Sequence, residues 1–413
     1  MDEIVIGIDI GTTKVCTLVA RVEDDEIRIL GVGIEPSAGI KKGVIVDIAA
    51  ASEAVIRSVT KAEQTSGVEI TEALVSMAGG HVASINSRGV VGVSGDIIDD
   101  IDVVRALDAA RAVAIPHNRE IIHVIQRGFV VDGQDGIRQP IGMHGYRLEV
   151  EAHIITAAQA TVDNLRQCVS AAGVDVIQFV LNPLASGDVV LTDSEKDMGV
   201  AVCDIGGGTT DLALYVGGHV WHTMVLAVGG NHITNDIAHG LHLSPSHAEE
   251  IKKKYGFAQK SGVGAEEYFT VRPYGEEQAS QINRQELAHI IEARVEEIFA
   301  LTLQEIKRSG YDGLLPAGMI LTGGTSALPG IRQLAARVLD MPVRTAQPEK
   351  LLGLVDQLKS PAYSTSVGLL YWAAALMNDI YPPARDRSRR YRVKGVSSVN
   401  IEPIKEWLKR LLP

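Results

Sequence analysis

The sequence predicts an α/β protein of two related lobes that close on one ligand, with a small α+β domain inserted in the first lobe. Three observations predict it. An apolar strand, a glycine turn flanked by aspartate and threonine, and a second apolar strand occur twice, over Ile4 to Val22 and over Gly199 to Tyr215. A third glycine turn, Gly323-Gly324, ends the apolar run Ala317 to Leu321. Between the two repeats lies a run of alternating strands that a plain duplication does not require.

Composition agrees. The 413 residues allow two or more domains, and 46% apolar against 22% charged residues is a globular balance. No run approaches the ~18 to 20 apolar residues of a membrane-spanning helix, and Met1-Asp2-Glu3 lacks a signal peptide's basic start, so a cytosolic protein is expected. Cys16, Cys168 and Cys203 sit among apolar neighbours and read as reduced core residues. A net charge of −12 argues against general nucleic-acid binding. That charge is uneven: nine Lys/Arg against three acids make residues 384–413 +6, leaving −18 for the rest.

Taken in order, Ile4 to Ile10 is a buried strand running into Asp9-Ile10-Gly11-Thr12-Thr13-Lys14, and Val15 to Val22 is the strand that leaves it. The unit returns as Gly199 to Cys203, then Asp204-Ile205-Gly206-Gly207-Gly208-Thr209-Thr210-Asp211, then Leu212 to Tyr215. Three successive glycines remove every Cβ, so backbone N–H groups can approach an anion, and the threonine hydroxyls add donors. Carboxylates beside phosphates point to Mg²⁺, held here by Asp9 and Asp204 largely through water. Lys14 supplies a cation for a terminal phosphate. A glycine-rich hairpin without a ligand is the alternative, and the second copy of the unit argues against it.

Two phosphate turns closing from opposite sides resemble the actin and heat-shock-chaperone superfamily. That resemblance implies an actin-like two-lobed ATPase fold of duplicated ribonuclease-H-like domains, with ATP and Mg²⁺ as ligands. Its third signature is similar to Thr322-Gly323-Gly324-Thr325-Ser326, which implies an adenosine site at Gly323, Gly324 and Thr325. Glu249 and Lys252, on an apparent helix from Ser246 to Tyr255, resemble its ribose clamp, though an i, i+3 pair is also an ordinary solvated helix pair.

The inserted segment begins with a helix capped by Asp99-Asp100-Ile101-Asp102, with Val103, Leu107, Ala110 and Val113 on one face and its end at Pro116. Three strands follow: Ile121 to Ile125, Gly128 to Gly133 and Tyr146 to Ile155. The runs Arg119-Glu120-Ile121-Ile122-His123-Val124-Ile125, Val131 to Ile137, Pro140 to Met143 and Arg147 to Val150 resemble the FtsA family of bacterial division actins over nearly the full length. The expected division is 1–84 with 165–196 as one core domain, 85–164 as the insert, and 197–228 with 310–383 as the second core. Residues 229–309 form a subdomain of the second lobe, 384–398 a basic linker and 399–413 an amphipathic helix.

In FtsA the 229–309 region receives the tail peptide of the tubulin homologue FtsZ, and Arg284 and Arg294, on a helix from Arg284 to Ser309, are offered to an acidic peptide. Solvated helix arginines are the equal alternative. His232, His239, His242 and His247 lie close in sequence but read as surface residues rather than a metal site.

At the tail, Ile401, Ile404, Trp407, Leu408, Leu411 and Leu412 recur at helical spacing, with Lys405, Lys409 and Arg410 on the other face. Docking on the body, a partner's groove and a membrane surface are the three readings. Tryptophan and flanking cations favour an anionic phospholipid surface, as does the family's C-terminal targeting helix. Superfamily relatives place a glutamate before a proline at the first connecting helix. Asn182-Pro183 stands there, which implies weak or no ATPase activity, Asn182 holding a water without taking its proton.

The expected function is thus an ATP-binding, polymerising anchor of FtsZ on the cytoplasmic face of the inner membrane at the division site, recruiting later division proteins. A pilus-assembly scaffold and a small-molecule kinase of the same superfamily are the alternatives.

Overall fold

The computed structural model describes residues 3–23, 26–275 and 278–377. In the first lobe β1 (Glu3–Ile10), β2 (Lys14–Glu23) and β3 (Glu26–Pro36) form an antiparallel meander. A short ladder of β4 (Ile40–Lys41) and β5 (Val44–Ile45) leads into α1 (Ile48–Ser66), and β6 (Glu72–Met77) returns parallel to β1. The chain then leaves this sheet for β7 (Ala83–Gly92), α2 (Asp100–Arg111), β8 (Arg119–Val131), β9 (Gln134–Ile137) and β10 (Arg147–Ala158). It comes back through α3 (Gln159–Ser170) to β11 (Asp175–Leu181), parallel to β6, before α4 (Asn182–Val190) and α5 (Asp193–Met198).

The second lobe repeats the plan. Its meander is β12 (Val200–Ile205), β13 (Thr210–Val216) and β14 (His219–Leu226). Then come α6 (Gly230–Gly240), α7 (Pro245–Tyr255), the hairpin of β15 (Tyr268–Val271) with β16 (Ser280–Asn283), and α8 (Arg284–Ser309). β17 (Met319–Thr322) lies parallel to β12, and α9 (Ile331–Leu339) leads to β18 (Val343–Thr345), parallel to β17. After β19 (Leu352–Gly353) pairs with the edge strand β3, α10 (Ser364–Met377) ends the described chain.

The duplication is visible in the strand order: β3-β2-β1-β6-β11 in one sheet and β14-β13-β12-β17-β18 in the other, with the same parallel and antiparallel senses. Both central strands are buried on both faces, which is why they read as continuous apolar runs rather than alternating ones. In β12, Val200 and Val202 join the core shared with α4 and α10, whereas Ala201, Cys203 and Ile205 join the core under α6, α8 and α9. The shared core draws Leu74 and Val180 from one lobe, Val202 and Ile320 from the other, and Leu184 and Leu370 from the two connecting helices.

The insert is a four-stranded sheet, β7-β10-β8-β9, covered by α2. It departs from expectation in three places. The strands expected at Ile121 to Ile125 and Gly128 to Gly133 are one strand, β8. Gln126 and Gly128 face Ala152 and Glu151, leaving Arg127 as the extra residue of a bulge, so the ladder continues through the polar pair that looked like a break. Strands β7 and β9 were not anticipated. Helix α2 stops at Arg111, short of Pro116, while its Asp99 cap closes a reciprocal box with Asp102 as expected. The sheet runs from Ala83 to Ala158, against an expected insert of 85–164.

Helices α7 and α8 fall at Pro245–Tyr255 and Arg284–Ser309, matching the expected Ser246 to Tyr255 and Arg284 to Ser309. No helix among the described residues is long and apolar enough to cross a membrane. The expected linker and the amphipathic helix at 399–413 lie outside the described residues.

Candidate functional site

The two glycine turns join equivalent strands. In β1–β2, Asp9 pairs with Cys16 and Gly11 N–H donates to Lys14 O at 3.0 Å. In β12–β13, Asp204 pairs with Asp211 and Gly206 N–H donates to Thr209 O at 2.9 Å. The turns meet face to face. A Cβ on Gly207 would lie 2.4 Å from Thr13 Cγ2, and one on Gly208 would lie 2.4 Å from Thr12 Oγ1, so only glycine allows this approach.

Behind the turns lies a buried acidic cluster. Asp9 Oδ1 accepts from Ser76 Oγ at 2.9 Å, and that hydroxyl in turn accepts from Ile10 N–H at 2.9 Å. Asp9 Oδ2 accepts from Ser366 Oγ at 2.7 Å, and Asp204 Oδ2 accepts from Thr365 Oγ1 at 2.7 Å. Ser364 Oγ lies 2.7 Å from Thr322 Oγ1, at the end of β17. Three consecutive hydroxyls at the start of α10 therefore tie down both aspartates and a third strand end.

Desolvation governs this cluster's charge. Burial pushes Asp204 up to about 6, opposed by the Thr365 hydrogen bond and reinforced by Asp9. Asp211 is raised well above the usual carboxylate range by burial and by Asp204 opposite it. Its Oδ2 accepts from Thr209 Oγ1 at 2.8 Å, while Oδ1 is buried without a hydrogen-bond partner among the described residues. Cys16 and Cys203, the neighbours of Asp9 and Asp204, are buried free thiols; burial lifts Cys16 to about 12, so both stay protonated and inert.

The third turn closes against the second. Gly323 has φ 83°, and a Cβ there would lie 2.3 Å from Asp204 Oδ1. Gly324 opens a short 3-10 turn, and Thr325 Oγ1 donates to Gly206 O at 2.9 Å. Gly230 N–H also donates to Gly206 O, at 2.9 Å, and Asn231 N–H to Gly207 O, at 2.7 Å, so the start of α6 braces the second turn. Glu249 and Lys252 arrive at the same place: Lys252 Nζ lies 2.6 Å from Glu249 Oε2 and donates to Thr234 Oγ1 at 2.8 Å and to Gly230 O at 3.1 Å. Burial opposes charge on both; the Lys252 charge overcomes it for Glu249, which is lowered, while Lys252 is itself lowered by desolvation.

Other expected residues are placed as follows. Thr210 Oγ1 donates to Val228 O at 2.8 Å. Lys14 Nζ donates to the Ala362 carbonyl and lies 4.6 Å from the Tyr363 ring centroid. Asn182 is the first residue of α4, the counterpart of α10, and its Oδ1 is buried without a hydrogen-bond partner among the described residues. Arg284 donates to Tyr255 O at 2.8 Å and pairs with Glu267, while Arg294 binds Asp236 at 2.6 and 3.0 Å and pairs with Glu297, so neither is unpaired. Their ion-pair partners differ, Glu267 for Arg284 and Asp236 with Glu297 for Arg294. His232 Nδ1 accepts from Gly229 N–H at 3.1 Å.

Sequence reasoning missed Ser76, Thr365, Ser366 and the Gly229–Gly230 step. Only Gly229-Gly230 carried a local signal, a glycine pair after a strand; the hydroxyls belong to ordinary-looking Ser/Thr positions.

The donor set fits a magnesium nucleotide. Asp9, Asp204 and Asp211 bring buried carboxyl oxygens, hard ligands by nature. Of these, Asp211 Oδ1 lacks a hydrogen-bond partner among the described residues, as does the Asn182 amide oxygen, and the paired glycine turns form a cradle that any Cβ would fill. Asp9 and Asp204 would hold the metal and the Gly11 and Gly206 to Gly208 turns the phosphates; the metal would supply the positive charge that the neutral hydroxyls around these carboxylates cannot.

Duplicated sheets of this order, closing on paired glycine turns, define an actin-like protein of the ATPase fold. Solved structures agree. The type IV pilus biogenesis complex of PilM and PilN matches with a TM-score of 0.62 at 16% identity, over 92% of this chain and 99% of that one. MreB5 of Spiroplasma citri bound to ADP matches with a TM-score of 0.55 at 14% identity, over 92% and 98%. Likeness at this identity is of fold. The family model "Cell division protein FtsA" matches residues 201–368, and "SHS2 domain inserted in FTSA" matches 79–156. The cell division protein FtsA of Pseudomonas aeruginosa is 40% identical over 410 residues, 99% of this chain and 96% of its own. The chain belongs to the FtsA family of cell division proteins.

Proposed function

We propose that this chain is an ATP-binding, polymerising division protein that anchors FtsZ filaments to the cytoplasmic face of the inner membrane and helps recruit later division proteins. The observation that carries the nucleotide part is the convergence of Asp9 and Asp204, one from each lobe, on Ser366 and Thr365 of a single helix. A ligand gripped by both turns stabilises the closed pair of lobes, and closure is the step that licenses self-assembly. Hydrolysis is slow, because the Asn182 amide orients water but takes no proton. A small-molecule kinase and a pilus-assembly scaffold are set aside, since the insert matches the domain described as inserted in FtsA.

Attachment belongs to the tail. Ile401, Ile404, Trp407, Leu408, Leu411 and Leu412 enter the lipid surface while Lys405, Lys409 and Arg410 meet anionic headgroups. One short helix binds reversibly, and a filament engages many at once. The subdomain 229–309 receives the FtsZ tail, with Arg284 and Arg294 exchanging Glu267 and Asp236 for the peptide's acids. Sedimentation with anionic vesicles tests the reading: the full chain with MgATP should pellet, and a chain lacking 399–413 should stay in the supernatant. Pelleting independent of the tail would refute the membrane assignment, and rapid ATP turnover on those vesicles would refute slow hydrolysis.

A further inference from the structure

A second lysine stands where the two glycine turns meet. Lys41 pairs with Val44, so Lys42 and Gly43 form the two-residue loop of the β4–β5 hairpin, with φ of 52° and 74°. Two left-handed residues in succession suit a type I′ turn, whose first position favours Asn, Asp or Gly. Lysine has a Cβ to accommodate and no short polar side chain to compensate for it, so its presence there is a local departure from what the turn prefers.

The hairpin tip is fixed against both lobes. Gly43 N–H donates to Thr12 Oγ1 at 3.3 Å, and a Cβ on Gly208 would lie 3.0 Å from Lys42 Cα. On the other side, a Cβ on Gly43 would lie 2.7 Å from the Ala78 carbonyl. The Lys42 backbone is thus held while its residue is exposed, with no hydrogen-bond or ion-pair partner among the described residues. Its charge reaches the start of α6: burial and then Lys42 lower the proton affinity of His232, which sits on the Gly229 N–H. Lys14, the residue whose sequence position favours a phosphate role, is meanwhile engaged by Ala362 and Tyr363.

We propose that Lys42 is a phosphate-binding residue that presents its ammonium to the terminal phosphate of a nucleotide held between the two glycine turns. The inference rests on the nucleotide reading above. A compact ammonium on a flexible stem serves as a point charge for phosphate. Because the tip touches Thr12 of one lobe and Gly208 of the other, the charge is delivered only when the lobes are closed, which makes it a sensor of the third phosphate.

Equilibrium binding of MgATP and MgADP to the full chain and to Lys42→Gly and Lys42→Arg tests this. Glycine removes the charge and relaxes the left-handed backbone, so the nucleotide-free variant should unfold at the same temperature as the parent or higher. Its Kd for MgATP should rise about tenfold or more, that for MgADP far less, and arginine should recover most of the loss. An unchanged MgATP Kd in Lys42→Gly overturns the inference and leaves the nucleotide reading intact, and so does an equal loss for both nucleotides. Failure of the parent chain to bind either nucleotide overturns both.

Discussion

Thr365 and Ser366 are adjacent in the chain yet donate to opposite lobes, Thr365 Oγ1 to Asp204 and Ser366 Oγ to Asp9, each at 2.7 Å. Successive helical residues point about 100° apart, so one turn of α10 can reach both strand ends only because the lobes are closed around it. The acidic cluster and the interlobe geometry are therefore one feature.

Near-isosteric removal of either donor leaves a buried carboxylate short of a partner. Thr365→Val and Ser366→Ala should each destabilise the nucleotide-free protein by about 1–3 kcal/mol, and the double variant should depart from additivity because both act on one cluster. Urea unfolding of the four chains measures this. Strict additivity would show that the two hydroxyls are independent.

The sign of the pH dependence follows from Asp204. A carboxyl raised to about 6 binds its proton more tightly folded than unfolded, so its contribution to stability falls as pH rises from about 4 to 6 and stays lost above. Asp204→Asn should therefore stabilise the metal-free, nucleotide-free protein at pH 7 by about 1–3 kcal/mol, with the gain shrinking toward pH 4. Comparing the two chains cancels the opposing effect of His123 and His153, which burial lowers to about 3 and which lose stability as pH falls. Unfolding midpoints at both pH values decide it, and a gain independent of pH would contradict the raised carboxyl.

Gly207→Ala places a methyl group 2.4 Å from Thr13 Cγ2. The variant should hold the turns apart and weaken MgATP binding by about tenfold or more, and adding Thr13→Ser, which deletes that methyl, should restore part of the loss. Nucleotide titration of both variants is the measurement; no rescue by serine would place the defect elsewhere.

Arg127, projected by the β8 bulge, stacks 4.2 Å from the Trp221 ring centroid and donates to Tyr311 Oη at 3.2 Å, joining the insert to the second lobe. His153 Nε2 adds a contact to Thr223 Oγ1 at 2.9 Å. Arg127→Ala should cost about 1–2 kcal/mol and Arg127→Lys should recover little, because the flat guanidinium stacks and the ammonium does not. Hydrogen exchange should quicken in β14 while β12 stays protected; uniform quickening would mean global destabilisation instead.

How much of this was legible depends on the range of the interaction. Strands β1 and β12, helix α8 and the Asp99 cap were readable because apolar runs, helical periodicity and capping are set by neighbours in the chain. The single strand β8 was not, since its continuity through Gln126 and Arg127 depends on pairing with β10, which can absorb a bulge. Asp9, Asp204 and Gly323 were legible as candidate site residues because repetition and glycine spacing leave a local mark, whereas the Glu249–Lys252 pair was marked only by its resemblance to the superfamily's ribose clamp. Ser76, Thr365 and Ser366 left none: a hydroxyl acquires its role from the carboxylate that folding brings to it.

By itself the sequence determined the duplicated architecture, the glycine turns and the family, all of which are written in short-range patterns. Tertiary structure alone decided that Lys14 turns to Ala362, that Arg284 and Arg294 are paired within the chain, that Lys42 stands between the turns, and that one helix start holds both aspartates. Those outcomes depend on burial and on which distant groups meet, and no local pattern encodes either.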